Sequence, residues 1–157
     1  MKKIFLTLTI FLSSLMAVYA DNQTEAIDFF NSYVNAANTY STEIPSLYSP
    51  SARIIRQVIK PDGELVDKET NVDRYISEMK KGQALAKVRK YKNDYSNISA
   101  TKINDTTYKV SALRQPSGET YKLKTYMIVQ KQSSGKWLII EEMMQTKVQT
   151  FLRYANK

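Results

Sequence analysis

Two adjacent glutamates, Glu141 and Glu142, interrupt an apolar run near the end of the chain, and Arg56 interrupts another after its first third. Charge inside apolar strand-like sequence is the chemistry-bearing signal here. In an extended strand alternate side chains take opposite faces. Regular alternation therefore puts Trp137, Ile139, Glu141 and Met143 on one face and Leu138, Ile140, Glu142 and Met144 on the other. Both faces are apolar, so both are expected to be covered and at least one glutamate enclosed. An enclosed carboxylate must be paired or stay protonated. Arg56, sharing a face with Ile54 and Val58, is the natural partner. Two readings stand: Glu141 or Glu142 with Arg56 and one or two tyrosines forms the polar floor of a pocket, or the glutamates end solvated or in a structural ion pair.

The chain has eleven tyrosines and five phenylalanines, an excess of phenols over what a core needs. A ring with a hydroxyl at its tip suits a pocket wall or an interface. Tyr33, Tyr48, Tyr75 and Tyr126 are the pocket candidates, with Tyr33 the first choice for facing a cavity. Core or rim positions are the alternative for each. Between residues 80 and 92, Lys80, Lys81, Lys87, Arg89, Lys90 and Lys92 place six positive charges and no negative one, with Tyr91 among them. Such a patch can meet an anionic lipid surface or an acidic partner; equally, it is the solvated end of a helix whose dipole favours cations. It matches no nucleic-acid recognition motif, and nucleic acid is not expected as a partner.

The absence of Cys and His removes many mechanisms. There is no thiolate nucleophile, no disulfide, no Ser-His-Asp or Cys-His triad, and no zinc, haem or copper site of the usual thiolate or imidazole kind. Neither a metal nor a cofactor is expected.

Helical periodicity follows Asn22, read as a cap with Glu25 reaching back to its amide. Ile27, Phe30, Val34 and Ala37 form one apolar stripe, and Phe29, Tyr33, Ala36 and Tyr40 a second beside it, wide enough to need a sheet as cover. Residues 41–51, with Pro45 and Pro50, are the connection. From Ala52 the period becomes two: a strand over 53–60, a turn at 61–63 and a returning strand over 64–69 make a hairpin. A second helix starts near Thr70 or Asn71 and runs to about Val88. Strands over 94–103, 107–115, 120–131 and 136–148 then form a four-stranded antiparallel meander. Residues 149–157 are a closing turn or a contact arm. The order predicts an α+β fold, a strongly curved antiparallel sheet wrapped on two helices, and a bent sheet of this kind encloses a pocket.

Residues 1–20 stand apart. A cationic start at Lys2 and Lys3, an apolar stretch from Ile4 to Val18, and the small-residue ending Val18, Tyr19, Ala20 predict a secretory signal peptide cleaved after Ala20. The apolar stretch is shorter than the roughly 20 residues of a spanning helix, and no transmembrane segment is expected after cleavage. The mature chain, 21–157, is then a single domain, and loss of Lys2 and Lys3 lowers the net charge from +8 to +6. The expected location is the periplasm if the host is Gram-negative, otherwise the medium. There a basic protein meets lipid head groups, envelope polymers or acidic proteins.

Two short stretches carry a family resemblance. LYSPSARI, Leu47 to Ile54, lies between the first helix and the first strand, and GKWLII, Gly135 to Ile140, opens the last strand. With the order of elements, they resemble the nuclear-transport-factor-2-like superfamily, which includes SnoaL-like cyclases and ketosteroid isomerases. The resemblance implies a cone-shaped fold over nearly all of the mature chain, and a homodimer through the outer face of the sheet. It departs at the chemistry: Pro50 and Ser51 stand where relatives often carry Asp, the His used by many family enzymes is missing, and the isomerase carboxylates do not map onto this chain.

The reading is an exported non-catalytic cell-envelope protein that binds a small apolar ligand or a protein partner through the cone or the sheet face. The alternatives are a cone-pocket isomerase, cyclase or dehydratase using Glu and Tyr, and an exported neutraliser or accessory subunit acting through its surface.

Overall fold

The computed structural model describes residues 21–153. Residues 1–20, where a signal peptide is expected, and Tyr154 lie outside these residues. Helix α1 occupies residues 21–38; a 3-10 turn over Ile44–Leu47, with Pro45 in its first turn, leads into β1 (Tyr48–Ile59). Then come β2 (Leu65–Asn71), α2 (Val72–Val88), β3 (Asn93–Asn104), β4 (Thr107–Pro116), β5 (Leu123–Lys131) and β6 (Trp137–Thr146), closed by a 3-10 turn at Gln149–Arg153. The fold is α+β, with helices on one side of a curved six-stranded sheet in the order β2-β1-β6-β5-β4-β3.

Helix α1 already includes Asp21, so Asn22 is not its cap. Instead the Asn22 amide donates to the Asp105 carbonyl (3.3 Å), and Glu25 accepts from Trp137 Nε1 (2.9 Å) and Lys131 Nζ (2.7 Å). These polar residues clamp the start of α1 to the sheet. At its other end Asn38 exchanges hydrogen bonds with the Asn93 backbone (2.9 and 3.0 Å). Between the clamps Ala26, Phe30 and Tyr33, at helical spacing, are buried against Tyr108, Val110, Met127, Val129, Trp137 and Ile139. Ile27, Phe29, Val34, Ala36 and Ala37 are partly buried and pack against the same core, so both stripes are covered. Helix α2 starts where the sequence places it: Asn71 Oδ1 accepts from Arg74 N (2.9 Å). It passes through Gly82 without a break.

The meander β3 to β6 is antiparallel as expected, and Gly63 at φ +89° turns the β1–β2 hairpin. The two units join through a parallel pair, β1 against β6, so the sheet is mixed. That junction brings Tyr48 opposite Ile139 and starts β1 four residues before Ala52. The ladder is irregular between Tyr48 and Arg53, which is where a strand tolerates a proline such as Pro50.

A second irregularity corrects the faces of β6. Val129 pairs with Ile139 but Ile128 pairs with Glu141, leaving Ile140 as an extra, unpaired residue, a β-bulge. Trp137 and Ile139 face the helices, and after the bulge Glu142 faces them too. Glu141 is carried to the outer face. A bulge between Ser96 and Ser99, with Asn97 at φ +55°, bends β3 in the same sheet.

Candidate functional site

Glu142 is completely buried. Its neighbours come from three elements. Arg56 Nη1 of β1 donates to Glu142 Oε1 at 2.8 Å, and the Tyr48 hydroxyl, where β1 begins, donates to Oε2. The Tyr33 hydroxyl of α1 lies 3.4 Å from that of Tyr48. Tyr75 of α2 meets the Tyr48 ring edge-on at 5.6 Å and lies under the Arg56 guanidinium, 4.7 Å from its ring centre. Arg56 also donates to the Ile55 carbonyl (3.2 Å).

The electrostatics follow from enclosure. Burial, then the Glu142 charge, pushes the Tyr33 and Tyr48 hydroxyls well above the ordinary phenol range; the same causes raise Tyr75. They are locked as neutral donors. For Arg56 burial is the largest influence and opposes the charge, but the Glu142 carboxylate, with smaller contributions from Tyr75 and Tyr48, more than offsets it and holds the guanidinium more firmly protonated than usual. An isolated buried charge would be untenable; this one has a cation on one oxygen and a phenol on the other.

The structure therefore brings together Tyr33, Tyr48, Arg56, Tyr75 and Glu142. It does not bring Tyr126 or Glu141 to them. Those two stand on the outer face, where Tyr126 donates to Glu141 Oε1 (2.7 Å), Arg53 joins Glu141 (2.9 Å) and Lys109 lies 4.0 Å over the Tyr126 ring. The bulge at Ile140 is the cause. Lys80, Lys81, Lys87, Arg89, Lys90 and Lys92 are all exposed, on the second half of α2 and the turn after it.

Two cavities flank the buried cluster, sharing Tyr75 and Met79 as a partition. The smaller, about 160 Å³, opens between Arg56, Thr70, Glu78 and Phe151; Thr70 Oγ1 there has no hydrogen-bond partner. The larger, about 320 Å³, lies between the helices and β3, β4 and β6, walled by Tyr33, Tyr75, Tyr95, Met79 and Met144, with Arg114 and Asn93 among its few polar groups. Its size is at the lower end for small-molecule sites. Arg114 was missed by sequence reasoning, although the test that selected Arg56 selects it too, since it follows Val110 and Ala112 at strand spacing.

The arrangement is an α+β cone with a neutralised polar floor and an aromatic chamber beside it. No protein-family model matches the sequence, and no curated protein matches it. Solved structures do share the fold at low identity. An NTF-2-like protein of unknown function from Shewanella oneidensis is similar with a TM-score of 0.58 and 13% identity, over 81% of this chain and 98% of that one. A candidate scytalone dehydratase from Novosphingobium aromaticivorans gives 0.53 and 15%, over 74% and 78%. A chain of the yeast complex of deubiquitinase Ubp3 and its cofactor Bre5 gives 0.57 and 18%, over 77% and 92%. The chain has the fold of the nuclear-transport-factor-2-like superfamily.

Proposed function

We propose that the chain is an exported, non-catalytic binding protein of the cell envelope whose cone holds a small, largely apolar ligand. One observation carries the reading: the only carboxylate at the floor, among the described residues, is fully buried and engaged on both oxygens. A general base needs a free lone pair within reach of substrate. Glu142, held by Arg56 and Tyr48, lines neither flanking cavity and so lies out of reach of a bound substrate; its role is to fix the wall of the cone. The chamber beside it has the aromatic and thioether lining that takes apolar ligands. Export rests on the signal-like first twenty residues.

The enzyme reading keeps two supports, the Tyr48–Glu142 pair and the likeness to a candidate dehydratase. An accessory protein acting through its surface predicts a filled cone, and the chamber of about 320 Å³ weighs against it. A protein partner, or a second copy on the outer face of the sheet, would meet the Arg53–Glu141–Tyr126 network rather than an apolar surface.

Native mass spectrometry of the protein purified from its own envelope tests the reading. The expected spectrum shows a small-molecule adduct lost on mild activation. A bare chain, together with no uptake of apolar probes in solution, would overturn it.

A further inference from the structure

Arg114 and Arg56 are both buried strand arginines, and they are satisfied differently. Arg56 has the Glu142 carboxylate. Arg114, only 5% exposed, has no carboxylate within ion-pair distance among the described residues. Its Nη1 donates to Asn93 Oδ1 (2.8 Å) and its Nη2 to the Gln145 carbonyl (2.8 Å), both neutral acceptors, while its Nε–H is buried without any acceptor. A guanidinium stays charged in a protein, so the fold encloses an uncompensated cation and an unmade hydrogen bond at one place. Such a group is costly to bury unless something completes it. Arg114 lies on the wall of the 320 Å³ chamber.

We infer that this chamber takes an amphipathic ligand whose carboxylate head meets Arg114 while its apolar body lies along Tyr33, Tyr75, Met79 and Met144. The inference rests on the binding reading above and adds the class of ligand. Asn93 and Gln145 hold the guanidinium in one orientation, which leaves it ready for an anion without reorganisation. A carboxylate there gains a charge-assisted hydrogen bond in a setting of low dielectric, and an alcohol of the same shape gains only a neutral one. The basic patch around Lys87 and Arg89 cannot substitute, because its residues are exposed and screened by solvent.

The test uses the chain from Asp21 to Lys157 and isothermal titration calorimetry with ω-phenylalkanoates of three to eight carbons and the matching phenylalkanols. The expected result is at least a tenfold preference for the best carboxylate over its alcohol. In Arg114→Gln that preference falls to within about twofold. Arg114→Lys, which retains charge and loses the fixed fork, should fall between. Equal binding of acid and alcohol by the unmodified chain would overturn the carboxylate inference and leave the binding reading standing. The unmodified chain needs no variant to fold for that result. A preference that survives Arg114→Gln places the anion elsewhere and also overturns the inference. Binding of neither series would remove the inference and the binding reading together.

Discussion

Glu142 and Arg56 are worth more as a constraint than as a source of stability. A buried pair gains Coulomb energy that its desolvation largely cancels, yet removing one member strands the other. Glu142→Ala should therefore cost about 3–5 kcal/mol in urea unfolding, and adding Arg56→Met to it should recover a substantial part. If the double variant is no more stable than Glu142→Ala alone, the pair is not what enforces the cost. Sequence reasoning reached these two residues because charge among apolar strand residues is visible in one dimension. It could not choose between Glu141 and Glu142, since the choice depends on a bulge that only the β5 partner reveals. Arg114 carries the same signal, but no glutamate neighbour drew attention to it.

At the scale of elements, the helices are held by their ends. Glu25 is pulled below the ordinary carboxylate value of 4.5 chiefly by Lys131, then by Trp137. A depressed folded value means the clamp's stability is complete above about pH 4.5 and is lost as pH falls through the lower folded value. The side chain is 36% exposed, which limits the contribution to about 0.5–1 kcal/mol. Glu25→Gln should thus be less stable than the native chain at pH 7 and indistinguishable from it near pH 2, measured by urea unfolding at both. Both helices end with a non-glycine residue in the left-handed region, Tyr40 at φ +58° and Lys90 at φ +51°, closed by Ser41 N to Ala36 O and Tyr91 N to Ala86 O, each 2.9 Å. Only glycine adopts that conformation freely. Tyr40 uses its hydroxyl to hold the Tyr91 carbonyl (3.0 Å), but Lys90 has an exposed side chain, so Lys90→Gly should raise stability by about 0.5–1 kcal/mol and shift the unfolding midpoint upward. The helices, the hairpin and the meander were legible because each follows a local period and a local stop. The parallel docking of β1 on β6 was not, because nothing local in either strand states its partner.

For the whole molecule, the order of elements and two short packing stretches were enough to reach the superfamily fold without a single catalytic residue. Fold lives in periodicity and turn chemistry, which one chain displays; the chamber lives in curvature, which it does not. The export proposal belongs to this scale as well: the intact mass of the protein recovered from the envelope should match a chain beginning at Asp21, and a mass retaining residues 1–20 would count against cleavage. Among the described residues no helix is long and apolar enough to cross a membrane.

Ile140 has no partner across either neighbouring ladder. Deleting it would leave every other β6 residue on its present side and simply straighten the strand, since the extra residue is what adds the local kink. A single codon therefore contributes to the curvature of the cone, and its loss would reshape the chamber without touching any residue that lines it.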